Sequence, residues 1–114
     1  MVKQWDVYFL DLNPVKGSEQ AGTRPAIVVS SNNVNHLNQV TILPITSVKV
    51  PNITIYPNEV LLEKGTANLP KDSIALAHQI RTIDKQRLIK YIGNISSLEI
   101  QSEIIEAIKT QLDL

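Results

Sequence analysis

Three groups of side chains in this chain of 114 residues have the types and spacing that chemistry on a phosphate would use. The first is the segment Gly17-Ser18-Glu19-Gln20-Ala21-Gly22-Thr23-Arg24-Pro25, which sets a carboxylate and a guanidinium five positions apart. Pro25 biases the backbone of Arg24 towards extended geometry, so its side chain is held at the entrance of whatever strand follows. Guanidinium suits phosphate because it offers paired donors and a charge that never titrates away. The plainer alternative is a surface Arg paired with Glu19, contributing little to stability. The second group is Thr46-Ser47, two adjacent hydroxyls that can hydrogen-bond a phosphate or ribose, or simply form a turn. The third is His36 and His78, which raise an acid–base possibility with an imidazole on either side of a phosphate. A solvated His36 and a sheet-bound His78 are the alternative.

The elements that must position these groups follow from the apolar pattern. Residues 6–12 are rich in β-branched and aromatic side chains and stop at Asn13-Pro14, which reads as a strand and a turn. Residues 15–25 form a polar loop of the kind that lies exposed and carries function. Strands are predicted at 26–30 and 40–46, with a polar loop between them, and Pro44 implies an edge position or a bulge. Two short strands are expected at 53–56 and 59–62, then one longer alternating strand from Ser73 to Ile83, a helical turn at 85–89 and a strand at 91–95. Beyond that the period changes. Ser96-Ser97-Leu98-Glu99 fits a capping box, and Leu98, Ile100, Ile104, Ile105, Ile108 and Leu112 fall near one face of a helix. Short strands at close spacing with one final helix predict a mainly β (α+β) fold: a small, strongly bent antiparallel barrel with a C-terminal amphipathic helix, one domain over residues 1–114.

Composition narrows the chemistry. With 43% hydrophobic residues, a chain of this length can bury roughly two-thirds of its unfolded surface in one core, so disorder is excluded. There is no cysteine, which removes thiol nucleophiles, disulfides and thiolate zinc sites, and two histidines are too few for a metal cluster. Neither metal nor cofactor is expected. No apolar run approaches the roughly 18 residues of a membrane span and no signal peptide is recognisable, so a cytoplasmic location without membrane attachment is expected. The 11 basic and 11 acidic groups cancel, but residues 99–114 hold only Lys109 against Glu99, Glu103, Glu106 and Asp113. The acidic excess is therefore at the tail, leaving the rest net basic.

The chain resembles the MazF/PemK toxins, sequence-specific endoribonucleases of bacterial toxin–antitoxin systems. The likeness is carried by Asp6-Val7-Tyr8, by Leu10-Asp11-Leu12-Asn13-Pro14 and above all by Gly17–Ala26; Pro44-Ile45-Thr46-Ser47, Asp72-Ser73 and Gln79–Leu88 add to it, with Gly93 following. It runs from about residue 6 to about 112 and is weakest over 32–40 and 48–70. The family usually has Gly immediately before the first strand's Asp, where this chain has Trp5. The resemblance implies an SH3-like barrel with a terminal helix, a homodimer whose paired surface carries an RNA groove, and a MazE-like antitoxin whose acidic tail occupies that groove. It also implies that Arg24 and Thr46 are the catalytic pair, that Glu19 takes part, and that Gln79 lines the site.

Elementary chemistry agrees. RNA holds its own nucleophile, the 2′-OH, beside the scissile phosphate, so cleavage needs alignment and charge stabilisation rather than a metal or an enzyme nucleophile. Arg24 would neutralise charge developing on the phosphorane, Thr46 would orient phosphate or 2′-OH, and Glu19 would serve as base or fix Arg24. Products would be a 2′,3′-cyclic phosphate and a 5′-OH, and DNA would not be cut. Base reading is expected from Ser18, Gln20, the 48–58 segment and Gln79, since single strands expose their base edges. The phosphate and ribose contacts would come from Lys16, Arg24, Ser47, Lys49 and Arg81. The competing possibilities are a non-catalytic CcdB-like toxin of the same fold acting on DNA gyrase, and a peptide-binding module. The first has no use for Arg, Thr and Glu about a phosphate, and five aromatics make a poor peptide groove.

Overall fold

The protein, described over residues 1–114 by a computed structural model, builds seven antiparallel strands and one long helix. The strands are β1 (Asp6–Asp11), β2 (Thr23–Val28), β3 (Gln39–Ser47), β4 (Glu59–Leu62), β5 (Ser73–Leu76), β6 (Arg81–Asp84) and β7 (Leu88–Asn94), followed by α1 (Leu98–Leu112). Their order across the sheet is β4-β5-β3-β2-β1-β7, with β6 also paired to β3. The sheet does not close, its open edges being β4, β6 and β7. No helix is long and apolar enough to cross a membrane.

β3 is the strand about which the rest is arranged. Its first half, Gln39–Ile42, pairs with β6, and its second, Ile45–Ser47, pairs with β5. Between Ile45↔Ala75 and Ile42↔Arg81, β3 moves three residues while the opposing chain moves six. The excess three are a 3-10 turn, Ala77–Gln79, so the continuous strand expected from Ser73 to Ile83 is broken in two. β3 is thus the centre of the sheet, so of the two positions Pro44 suggested, an edge or a bulge, the edge does not hold, and the irregularity beside Pro44 is in the opposing chain rather than in β3 itself. Val29 N donates to Thr41 O, which makes Ile27–Leu43 a directly bonded pair and turns Pro44's missing donor away from β2, towards the gap between β5 and β6.

Two apolar clusters lie on opposite faces of the sheet, as period-two alternation requires. One gathers Val7, Ile27, Leu43, Ile45, Leu62 and Ile95 under Ile104 and Ala107 of α1. The other gathers Leu10, Ala26, Val28, Val40, Ile42 and Ile83. Residues 53–56 form no strand: Thr54, Ile55 and Tyr56 are exposed, and the segment leaves the outer edge of β4 unpaired. β2 begins at Thr23, earlier than its apolar run, because Leu10 and Asp11 of β1 offer partners to Arg24 and Thr23. The helix begins one residue later than the capping-box pattern predicts. Ser97 is the cap, its Oγ accepting from Ile100 N at 3.2 Å, so Glu99 stands one position short of the reciprocal bond. The helix buries Ile104 and Ala107, flanked by Ile100 and Ile108, and leaves Leu98, Ile105 and Leu112 in solvent.

Candidate active site

The β1–β2 connection is held at both ends. Leu12 N donates to Gly22 O at 3.0 Å and Gly22 N donates to Asn13 Oδ1 at 3.2 Å, closing residues 13–22 into a loop with the Asn13–Pro14 bond cis. Gly17 and Gly22 take the left-handed turns this path needs, at φ 56 and 76. Two guanidinium groups grip the same stretch of backbone: Arg81 donates to Leu12 O at 3.1 Å, and Arg87 donates to Asp11 O and Asn13 O. The far side of the loop is tied to the 3-10 turn, Gln20 N donating to Gln79 Oε1 at 3.3 Å.

Between loop, turn and sheet lies a pocket of about 480 Å³, lined by Pro14, Ser18, Glu19, Gln20, Pro44, His78, Gln79, Ile80 and Arg81. Six of the residues singled out from sequence meet here: Ser18, Glu19, Gln20, His78, Gln79 and Arg81. The β2–β3 register pairs Ala26 with Pro44, and continued by two residues it sets Arg24 opposite Thr46. Alternation puts Arg24, Pro44 and Thr46 on one face of the sheet, the face that also carries Arg81 opposite Ile42. Arg24 and Thr46 are thus on the sheet face of Pro44, although neither is among the residues that line the pocket. Ser47 falls on the other face, opposite the buried Ser73. Lys16 and Lys49 are exposed and outside the pocket lining. Ile55 and Pro57, from the segment expected to read bases, line a different groove.

Glu19 and Arg24 are each held by backbone rather than by each other. The Glu19 carboxylate accepts from Lys16 N, and Arg24 Nε donates to Ala21 O at 2.8 Å. The remaining guanidinium nitrogens of Arg24 are left for a ligand. Gln20 Oε1 is buried without a hydrogen-bond partner, an acceptor that a donor entering from the pocket would satisfy. The one clearly displaced pKa belongs to the Tyr8 phenol, raised by burial and then by the carboxylate of Asp6 and by Tyr91; Tyr8 lies on β1, outside the pocket lining. No three His, Asp or Glu side chains converge as metal ligands would.

A larger cavity, about 930 Å³, opens between β4 and α1, but Glu59, Glu63, Glu99, Glu103 and Glu106 line it against a single Lys64. Carboxylates so arranged repel phosphate, and the smaller pocket is the one with chemistry. Sequence reasoning singled out His78 but placed it in mid-strand, whereas it stands in the 3-10 turn and lines the pocket without His36; the grip of Arg87 on the loop it missed. The three-residue excess that turns His78 outward is a property of pairing, which alternation in one strand does not reveal.

The chain matches the model of the PemK-like, MazF-like toxins of type II toxin–antitoxin systems over residues 3–112. It is 38% identical to endoribonuclease MazF9 of Mycobacterium tuberculosis, covering all of this chain and 98% of that protein. It is 36% identical to endoribonuclease EndoA of Bacillus subtilis, covering all of this chain and 97% of that one. Its fold matches the crystal structure of MazF from Deinococcus radiodurans with a TM-score of 0.82 at 23% identity, over 99% of this chain and 97% of the other. A mycobacterial endoribonuclease solved in complex with its cognate antitoxin matches with a TM-score of 0.80 at 23% identity, over 100% and 97%.

Proposed function

The chain belongs to the family of PemK-like, MazF-like toxins of type II toxin–antitoxin systems, and we propose that its endoribonuclease activity is carried by the pocket beneath the β1–β2 loop. The substrate is single-stranded mRNA, cut at a short sequence motif without a metal, by attack of the 2′-OH on the adjacent phosphorus. Arg24 donates to the phosphate oxygens and stabilises the charge that grows as the phosphorane forms. Thr46 orients the phosphate or the 2′-OH from across the ladder. Glu19 takes the 2′ proton. The P–O2′ bond forms, the P–O5′ bond breaks, and the products are a 2′,3′-cyclic phosphate and a 5′-OH.

The observation that supports this most is the register that sets Arg24 opposite Thr46 on the sheet face bordering a pocket walled by Glu19. Because the partners of Glu19 and Arg24 are backbone groups, the carboxylate acts as base rather than as the anchor of the guanidinium. Gln20 and Gln79, joined to each other and facing the pocket, read the edge of an unstacked base, with Ser18 beside them. The unpartnered Gln20 Oε1 accepts from a base amino group. Lys16, Lys49 and Arg81 attract the strand's backbone. The protein works in the cytoplasm as a homodimer and is silenced by a MazE-like antitoxin that competes with RNA for this pocket.

The test is cleavage of a long mixed-sequence RNA in excess EDTA, with cut sites and end groups mapped. Cuts at one motif, cyclic-phosphate ends and a loss of at least 10²-fold with Arg24→Ala are expected. Absence of cleavage by folded protein would overturn the proposal and direct the next assay to DNA gyrase. Glu19→Gln should lower the rate and remove the acid limb of the pH–rate profile.

A further inference from the structure

We propose that His78 is the general acid of the reaction, protonating the 5′-oxygen as it leaves; this rests on the pocket being the RNA-cleaving site. Cleavage moves two protons, and Arg24, Thr46 and Glu19 account for only one. The 2′-OH gives its proton to Glu19, but the departing 5′-oxygen is a poor leaving group unless a proton reaches it as the P–O5′ bond breaks. Arg24 and Arg81 cannot supply one, because a guanidinium stays charged throughout. A neutral Thr hydroxyl is a weak acid. Imidazole is the side chain that exchanges a proton near neutral pH, and His78 is the only one lining the pocket.

Its position is built into the sheet. The three residues in excess between β5 and β6 form the turn Ala77–Gln79, with His78 at the centre. Ala77 is buried in the core, while Gln79 accepts from Gln20 N of the loop, so the residue between them is held on both sides. His78 itself is exposed and lines the same pocket as Glu19. An in-line displacement needs the base and the acid near the entering and leaving oxygens, and one pocket supplies both. The charged groups that line the pocket with the imidazole are Glu19 from the loop and Arg81 from β6, and β4 brings Glu59 opposite Leu76, two residues before it. The helix and β3, which also pack on this turn, meet it through the apolar cluster that holds Ala77, Leu43, Ile45, Ile104 and Ala107, with Ile80 and Ile108 against it.

The substrate is an oligoribonucleotide carrying the motif mapped with mixed-sequence RNA, made once with oxygen and once with sulfur at the bridging 5′ position. Sulfur leaves as a thiolate and needs no proton. For the oxygen substrate, His78→Gln should lower kcat by about 10²-fold or more with KM within about twofold, and should remove the fall in rate on the alkaline side of the pH profile. For the sulfur substrate, His78→Gln should cleave within about threefold of the wild type, whereas Arg24→Ala stays slow on both. His36→Gln, an exposed residue outside the pocket lining, should match the wild type on both. An unchanged rate on the oxygen substrate, or an equal loss on both substrates, would overturn the role of His78 while leaving the pocket intact. A wild type that cuts neither would overturn both proposals together.

Discussion

Trp5 shows how one residue can hold a conformation its side chain disfavours. Its φ is 76, in the left-handed region, and its backbone is fixed on both sides, Trp5 N donating to Val28 O at 2.7 Å and Ile95 N donating to Trp5 O at 2.9 Å. A glycine would take this conformation without strain, which accounts physically for the Gly usual before the first strand in this family. Here the ring compensates by packing against the main apolar cluster. Left-handed geometry costs an L-residue about 1–2 kcal/mol, and Ala would keep that cost while losing the ring. Trp5→Ala should therefore be less stable than Trp5→Gly by about 1 kcal/mol, and both less stable than wild type, in urea unfolding. Equal stability of the two variants would contradict the strain. Gly93 is constrained differently: a Cβ there would lie 2.8 Å from Ala67 O, backbone of a turn already at φ 49 and 63. Gly93→Ala should lose about 1–3 kcal/mol in the same assay. Glu19, Arg24 and Thr46 were legible as candidates because their types and spacing carry the chemistry. His78 was legible as an imidazole but not in its place, because nothing in Ile74-Ala75-Leu76-Ala77 signals that the strand is about to leave its partner.

At the scale of elements, apolar pattern located most strands and the helix, while pairing decided their ends. Residues 53–56 have a strand's composition but join no edge of the sheet, the open edge of β4 included, and 73–83 have one strand's alternation but two different registers on β3. A single sequence shows which residues favour extended backbone; it does not show which edge of the folded sheet, if any, each segment joins. The helix start is a smaller case of the same kind. Ser96 and Glu99 have capping-box spacing, yet Ser97 is the cap, because Ile95 N is committed to Trp5 O and the chain turns only after it. Ser97→Ala should cost about 1 kcal/mol and Ser96→Ala less than about 0.5 kcal/mol. The reverse order, read from thermal or urea unfolding, would restore the capping box.

Across the whole molecule, the net charge of zero conceals a separation that matters for RNA. Arg81 lines the pocket, Arg24 lies on the same face of the sheet, and Arg87 grips the loop beside it, whereas five glutamates line the groove between β4 and α1. Salt screens charges over a Debye length of about 8 Å at physiological ionic strength, so glutamates lining a separate groove cancel less of the attraction at the pocket than charges within it would. A chain with no net charge can therefore bind a polyanion in one orientation. Each phosphate neutralised on a single strand adds about 0.7 to the slope of log K against log salt. Arg24→Ala should reduce that slope by about 0.7, since it removes one such contact. Replacing Glu99 and Glu103 by Gln should leave the slope unchanged and cleavage within about twofold, although the net charge rises by two. A slope that followed net charge instead, shifting with the glutamates and indifferent to Arg24, would mean that RNA is held by the overall field and not by this pocket.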